Sequence, residues 1–175
     1  PEDGEETRKA VVEKVERKKE KKNPPLLFNL AELQNVCSKL FKISPDETLK
    51  IVQELYEKKL VTYPRTDARV LSSAVAREIS KNLRGLQQYG ICSGLANEIL
   101  QGESWKTIGS TRYTNDKQIT DHYAIIPTVH GLNTLRNLSE LSAKVYETIV
   151  RRFLGIFYPP AVYQKVALVT EIGGE

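Results

Sequence analysis

The chain has 175 residues, of which 40% are hydrophobic and 27% charged, with a formal net charge of +4 and a pI near 9.0. These values fit one globular domain of ordinary size, and they allow a nucleic-acid partner without requiring one. No apolar run approaches the roughly 20 residues that span a bilayer, and the acidic start lacks a signal-peptide pattern. Two well-separated cysteines, Cys37 and Cys92, support neither a zinc site nor a disulfide framework. We therefore expect a cytoplasmic protein without a membrane partner.

The two ends of the chain favour β-structure. Valines alternate in part with charges over residues 9–17, and residues 164–172 (QKVALVTEI) have strong β-propensity. These segments can pair as two antiparallel passes of one sheet, through which the helical part is inserted. The chain begins at Pro1 and contains no methionine. We therefore expect an internal segment of a larger protein.

Two helices are predicted in the first half. Asn29 caps a segment whose apolar residues recur at helical spacing up to Phe41. Ser44, followed by Pro45 at the first helical position and glutamate at the third, opens a second helix that ends near Lys58. Two helices followed by a strand are typical of a helix-turn-helix with a winged edge, and an ordinary αα-hairpin is the alternative.

The segment after the second helix carries the candidate chemistry. Residues 60–63 (LVTY) predict a short strand, which Pro64 ends. Tyr63 then lies at a strand end, where a side chain can face a cleft. The planar guanidinium of Arg65 suits a phosphate, and a phenol beside it is the pair that attack on a phosphodiester needs. The alternative is a tyrosine that only packs.

Further elements follow in the second half. We expect helices from Ser72 or Ser73 to about Leu83, from Ser93 to Leu100 and from Ser139 to about Phe157, with an irregular loop over residues 101–120. His122 lies in the stretch TDHYAIIPT, residues 120–128. The other histidine, His130, precedes a glycine turn, and we expect it to have a structural role.

Residues 55–72, LYEKKLVTYPRTDARVLS, resemble the active-site signature of the type IA DNA topoisomerases. Residues 120–128 resemble the second active-site motif of that family, in the form of its topoisomerase III branch. The resemblance implies an α+β fold that is mainly α with a small antiparallel β part. A helix-turn-helix or winged-helix-like catalytic-tyrosine domain, residues 24–138, would be inserted between segments of a β arch domain, residues 1–23 and 139–175.

The resemblance also implies the roles of individual residues. Tyr63 would attack a phosphodiester of single-stranded DNA and form a transient 5′-phosphotyrosyl link, leaving a free 3′-hydroxyl. Arg65 would hold the scissile phosphate, and His122 would hydrogen-bond the same region. Asp67 would orient Arg65 or His122, and we expect Thr66, Asp67 and Lys117 to contribute to DNA binding.

The Mg²⁺ site of this family belongs to a separate toprim domain, which nothing in the chain matches. The resemblance therefore implies that no metal is bound here, that the partners are single-stranded DNA and other domains of the same polypeptide, and that this chain alone is inactive. It also implies association with the bacterial nucleoid.

Other classes of protein remain as alternatives. A non-catalytic helix-turn-helix DNA-binding module would use residues 45–58 as its recognition helix, with Tyr63 as a packing residue. That helix carries four carboxylates against two lysines, which is unfavourable beside phosphates. A tyrosine recombinase-like domain needs two arginines and more histidine or lysine, in a constellation that the sequence does not supply. A non-catalytic scaffold is the third alternative.

Overall fold

The structure is a computed structural model that describes residues 19–164, and the chain divides into two compact units. The first unit contains the described residues 19–24 and 159–164, and the second contains residues 25–158. In the first unit, strand β1 (Lys19–Lys22) pairs antiparallel with strand β2 (Ala161–Gln164). The longer pairing predicted for residues 10–15 with 166–172 lies outside the described residues.

The second unit is mainly helical, as predicted. Its described α-helices are α1 (Leu30–Phe41), α2 (Pro45–Glu57), α3 (Ser73–Arg77), α4 (Ile79–Leu86), α5 (Ser93–Gln101) and α6 (Glu140–Gly155). Three 3₁₀ segments add to them, at Ser104–Ser110, Asp116–Gln118 and Leu132–Asn137. Within residues 19–164, no helix combines the length and the apolar character that crossing a membrane requires.

Four predicted helix starts are confirmed by their caps. The side chains of Asn29, Ser44, Ser72 and Ser139 each accept a hydrogen bond from the backbone N–H three residues ahead. Each such cap satisfies an amide that the helix itself leaves unpaired and contributes about 1 kcal/mol. The local sequence therefore sets where these helices begin.

Helix α6 lies at the centre of the second unit. It packs against α1, α2 and α5, and the side chains of Tyr146, Ile149 and Phe153 are fully buried. The second unit continues to Tyr158. The domain boundaries expected after residues 23 and 138, and the assignment of the flanking segments to an arch domain, stay predictions.

Three local predictions were wrong. Residues 60–63 form no strand: Val61 makes an isolated antiparallel bridge with Pro127, flanked by one hydrogen bond on each side. Because Pro127 has no N–H, it cannot donate to a longer ladder.

The helix expected from Ser72 to Leu83 divides at Glu78, whose N–H bonds to the carbonyl of Val75. Residues 101–120 are not irregular throughout, since they include two of the 3₁₀ segments.

The helix-turn-helix expectation concerns α1 and α2. Both helices are present, they are joined by residues 42–44, and they pack against each other. Lys42 ends α1 in the left-handed conformation, with φ of 57°. Within residues 25–158, no strand follows α2, so this part of the chain shows no winged edge. A three-residue connection between two packed helices occurs both in αα-hairpins and in helix-turn-helix motifs, so it does not distinguish these two alternatives.

Candidate active site

An open groove of about 640 Å³ lies where the Tyr63 segment meets the His122 segment. It is lined by Tyr56, Lys59, Val61, Thr62, Tyr63, His122, Tyr123, Thr128 and His130. This volume falls within the range of ligand-binding clefts. One lysine and two histidines line the groove and no carboxylate does, so it favours an anion.

Tyr63 is contacted by two rings in this groove. Its ring centroid lies 4.4 Å from that of His122, with an interplanar angle of 36°. The ring of Tyr56 meets it edge-on, at 5.4 Å and 82°. Tyr63 is half-buried and His122 is exposed, so the pair is open to a ligand. The structure thus brings together two of the three predicted catalytic residues.

Thr62 joins the two segments that carry this ring pair. Its hydroxyl donates to the carbonyl of Ala124 at 3.0 Å and accepts from the N–H of Ile126 at 2.9 Å. Its own N–H donates to the carbonyl of Ile126 at 3.0 Å. These three hydrogen bonds hold Thr62, the residue before Tyr63, against Ala124 and Ile126, which follow His122 in the chain.

Thr66 makes a second connection on the other side of Tyr63. Its hydroxyl donates to the carbonyl of His122 at 3.2 Å and accepts from the N–H of Ala68 at 3.1 Å. Thr66 is only 7% exposed. Through these bonds Thr66 holds the loop of Tyr63 against His122. The DNA contact expected for Thr66 stays a prediction.

Arg65 is exposed and does not line the groove. Within residues 19–164, its guanidinium makes no hydrogen bond and no ion pair. An arginine without an internal partner keeps all five of its donors for a ligand.

Asp67 and Lys117 are both exposed. The carbonyl of Asp67 accepts from the side-chain amide of Asn29 at 3.1 Å. Its carboxylate pairs with neither Arg65 nor His122 among the described contacts, and the orienting role expected for it stays a prediction. Lys117 is exposed on the second 3₁₀ segment and does not line the groove.

Sequence reasoning missed the contributions of Tyr56 and His130. Tyr56 lies in the last turn of α2 and is 38% exposed, which is unusual for a large ring near a core. His130 is placed by Gly131, whose φ is +80°. A Cβ at position 131 would lie 2.1 Å from the carbonyl oxygen of Lys58. In the sequence, the glycine at position 131 is the feature that could have indicated this close approach of two backbone segments.

The described residues offer no ligand set for a divalent cation. Within residues 19–164, no three or more His, Cys, Asp or Glu side chains gather into a group that could hold a metal ion. The groove itself presents two histidines and no acidic side chain. Because Mg²⁺ prefers carboxylate oxygens, these residues do not fit a magnesium site.

Comparisons with known proteins agree with the two motifs. A family model described as DNA topoisomerase matches residues 2–175. DNA topoisomerase 3 of Bacillus subtilis is 38% identical over 169 residues, which is 96% of this chain and 23% of that protein. DNA topoisomerase 3 of Bacillus licheniformis is 38% identical over 167 residues, or 95% of this chain and 22% of that protein. The chain thus spans less than a quarter of the length of these relatives.

A solved structure shows the same fold. Full-length topoisomerase I from Thermotoga maritima aligns with a TM-score of 0.52 and 23% identity, over 83% of this chain and 22% of that chain. At this identity the likeness supports the fold alone. The family match over almost the whole chain carries the assignment. The chain therefore belongs to the type IA DNA topoisomerase family.

Proposed function

We propose that this chain is the catalytic-tyrosine segment of a type IA DNA topoisomerase and that Tyr63 is its nucleophile. The observation that supports this most directly is the contact between the Tyr63 and His122 rings in a groove that one lysine and two histidines line and no carboxylate does. The two rings come from the two motifs that resemble the active site of this family. A packing tyrosine would not need an exposed histidine against its ring.

The proposed reaction exchanges one phosphate ester for another. The phenol oxygen of Tyr63 forms a bond to the phosphorus of a single-stranded DNA phosphodiester, and the bond from phosphorus to the 3′-oxygen breaks. The phenol loses its proton, and the leaving oxygen gains one to become a free 3′-hydroxyl. The reverse step rejoins the strand after another strand has passed, so no external energy source is consumed.

Arg65 and His122 act on the phosphate in this proposal. The free guanidinium of Arg65 pairs with the non-bridging oxygens, whose charge grows as the phenol attacks. His122 hydrogen-bonds the same phosphate from the ring that contacts Tyr63. Thr62 and Thr66 hold these groups in place through their internal hydrogen bonds.

Other parts of the reaction belong outside this chain. A neutral phenol is a weak nucleophile without a cation or base beside it, and the described residues do not fit Mg²⁺. We therefore assign Mg²⁺ to another domain of the same polypeptide, and we expect this chain alone to be inert. The paired strands β1 and β2 would belong to an arch domain that flanks the helical unit. A DNA substrate would place the protein at the nucleoid.

The proposal is tested by exchanging this chain for the corresponding segment of Bacillus subtilis DNA topoisomerase 3. We expect the hybrid to form a covalent adduct with an end-labelled single-stranded oligonucleotide in the presence of Mg²⁺. The 175-residue chain alone should form none. Cleavage by the isolated chain would show that the chemistry needs no other domain and would overturn this division of roles.

The alternative of a non-catalytic helix-turn-helix module gains no support from the structure. Its recognition helix would be α2, whose exposed first turn carries Asp46 and Glu47. Lys58, at the other end, already pairs with Glu54 at 3.3 Å. A helix with this charge would be repelled by phosphates.

A further inference from the structure

A second depression, of about 230 Å³, adjoins the groove of Tyr63. The two share Thr62, Tyr123, Thr128 and His130, so they form one continuous track. Val75, Glu78, Lys81, Asn82, Ile126 and Val129 complete the lining of the second depression. A ligand that is long enough to extend beyond Tyr63 in this direction enters it.

The backbone wall around Thr128, which lines both depressions, is held by several independent contacts. The side-chain amide of Asn82 donates to the carbonyl of Pro127 at 2.8 Å. The hydroxyl of Thr128 donates to the carbonyl of Lys59 at 2.5 Å. A Cβ at Gly85 would lie 2.8 Å from a methyl carbon of Val129, so helix α4 approaches this wall as closely as a glycine allows. The track is therefore preformed rather than dependent on a ligand.

Two side chains of the second depression, those of Lys81 and His130, are available to donate to a phosphate. Lys81 pairs with Glu78 at 3.1 Å, and both side chains are about two-thirds exposed, at 65% and 66%. A pair this exposed contributes little, so a phosphate can take over the lysine at small cost. His130 is exposed, and its ring has no hydrogen-bond partner among residues 19–164.

We propose that the second depression binds the nucleotide that neighbours the scissile phosphate on the same single strand. Lys81 and His130 contact its phosphate, and Tyr123, which lines both depressions, offers a ring on which a base stacks. This inference rests on the proposed function, because Tyr63 and Arg65 define which phosphate is the scissile one. It adds a site that holds the strand in register with Tyr63.

The test measures binding of the full 175-residue chain to a fluorescent oligothymidylate of about eight nucleotides, a length within the site sizes of single-strand binding folds. Lys81→Ala and His130→Ala should each weaken binding roughly three- to tenfold. Lys81→Ala should also reduce the slope of log K against log salt by about 0.7, the value for one phosphate contact on a single strand. Lys144→Ala is the matched control, because Lys144 is an exposed lysine paired with Glu140 on its own helix and lines neither depression.

The outcomes separate this inference from the proposed function. If Arg65→Ala weakens binding while Lys81→Ala and His130→Ala behave like Lys144→Ala, the second site is overturned and the proposed function stands. If Lys81→Ala and His130→Ala weaken binding while Arg65→Ala does not, the second site is supported and the assignment of Arg65 fails. Loss of binding in Lys144→Ala equal to that in Lys81→Ala would show attraction by net charge alone and would also overturn the site.

Discussion

Two tyrosine pairs in the helical unit have nearly the same geometry and very different surroundings. The rings of Tyr56 and Tyr63 meet at 5.4 Å and 82°, and those of Tyr89 and Tyr146 meet at 5.2 Å and 77°. Tyr146 is fully buried and Tyr89 is 6% exposed. Tyr56 and Tyr63, by contrast, line an open groove. Edge-to-face packing is therefore common to both pairs, and it does not distinguish the pair in the groove from the pair in the core.

Access and charge distinguish the two pairs. Burial raises the pKa of both Tyr89 and Tyr146, and the thiol of Cys92 and the carboxylate of Glu147 lie near enough to add to the rise at Tyr89. The interior pair therefore stays neutral and serves packing. Tyr63 instead has the exposed ring of His122 beside it and a groove without carboxylates in front of it. The same ring contact holds a core in one place and, in the proposed function, presents the nucleophile in the other.

The largest expected effect is the loss of chemistry in Tyr63→Phe. This change removes only the hydroxyl, so the hybrid enzyme should form no measurable adduct with an end-labelled oligonucleotide. Single-stranded DNA binding should stay within about twofold, because the phosphate contacts remain. Tyr146→Phe is the matched control from the interior pair and should leave adduct formation unchanged. A labelled adduct in Tyr63→Phe would mean that another group is the nucleophile.

The interior pair should dominate stability instead. Tyr146→Ala removes a fully buried ring from the core, and we expect it to lower the free energy of unfolding by about 3–5 kcal/mol in urea titrations. Tyr146→Phe should be nearly neutral or stabilising, because the hydroxyl has no hydrogen-bond partner among residues 19–164. If Tyr146→Phe cost as much as Tyr146→Ala, the hydroxyl and not the ring would be the stabilising group.

The sequence predicted the parts of this comparison that depend on local chemistry. The caps at Asn29 and Ser44 follow from side chains that bond amides three residues away. Tyr63 and His122 were found through their motifs. The break at Glu78 was not predicted, and the contact that accompanies it, from the Glu78 N–H to the carbonyl of Val75, is local. The single bridge at Val61 was not predicted either, because it depends on Pro127, which is distant in sequence.

The functional neighbours of Tyr63 were harder to predict for the same reason. Tyr56 belongs to the quoted signature, but only the fold shows that its ring meets Tyr63. His130 reaches the groove because Gly131 packs against the carbonyl of Lys58, a contact between distant parts of the chain. Lys117 lies outside the groove, and the DNA contact expected for it stays a prediction.

Gly131→Ala tests whether the backbone beside His130 in the groove is as rigid as the packed core. The substitution adds a Cβ at a φ of +80° and 2.1 Å from the carbonyl of Lys58, so the backbone must move. We expect a loss of more than about 1 kcal/mol in the free energy of unfolding, together with weaker binding of single-stranded DNA. Gly90→Ala is the control, because nothing lies within 4 Å of its added Cβ. Equal behaviour of the two variants would contradict a rigid wall.

Removal of the Tyr56 ring should have a smaller effect, on the rate of adduct formation. An edge-to-face pair contributes about 0.5–1.5 kcal/mol, so Tyr56→Ala should slow adduct formation by the hybrid enzyme roughly two- to tenfold. Tyr56→Phe keeps the ring and should restore the rate. Because Tyr56 positions Tyr63 rather than the DNA, the dissociation constant of the oligonucleotide should not change. If only the dissociation constant changed and the rate did not, Tyr56 would instead contact the DNA.

The smallest expected effect is the response of the interior pair to alkaline pH. Burial, with Tyr89 and Cys92 beside it, raises the pKa of Tyr146 above the value of about 10 that a phenol has in the unfolded chain. Below pH 10 the phenol is protonated in both states and its contribution to stability is complete. Above pH 10 the unfolded chain loses this proton first, so the free energy of unfolding falls as pH rises, by at most about 1.4 kcal/mol per pH unit from this group. Tyr146→Phe should remove that part of the slope in urea titrations between about pH 8 and pH 11. An unchanged slope would show that the interior phenol ionises as readily in the folded protein as in the unfolded chain, and the contrast between the two tyrosine pairs would then rest on packing alone.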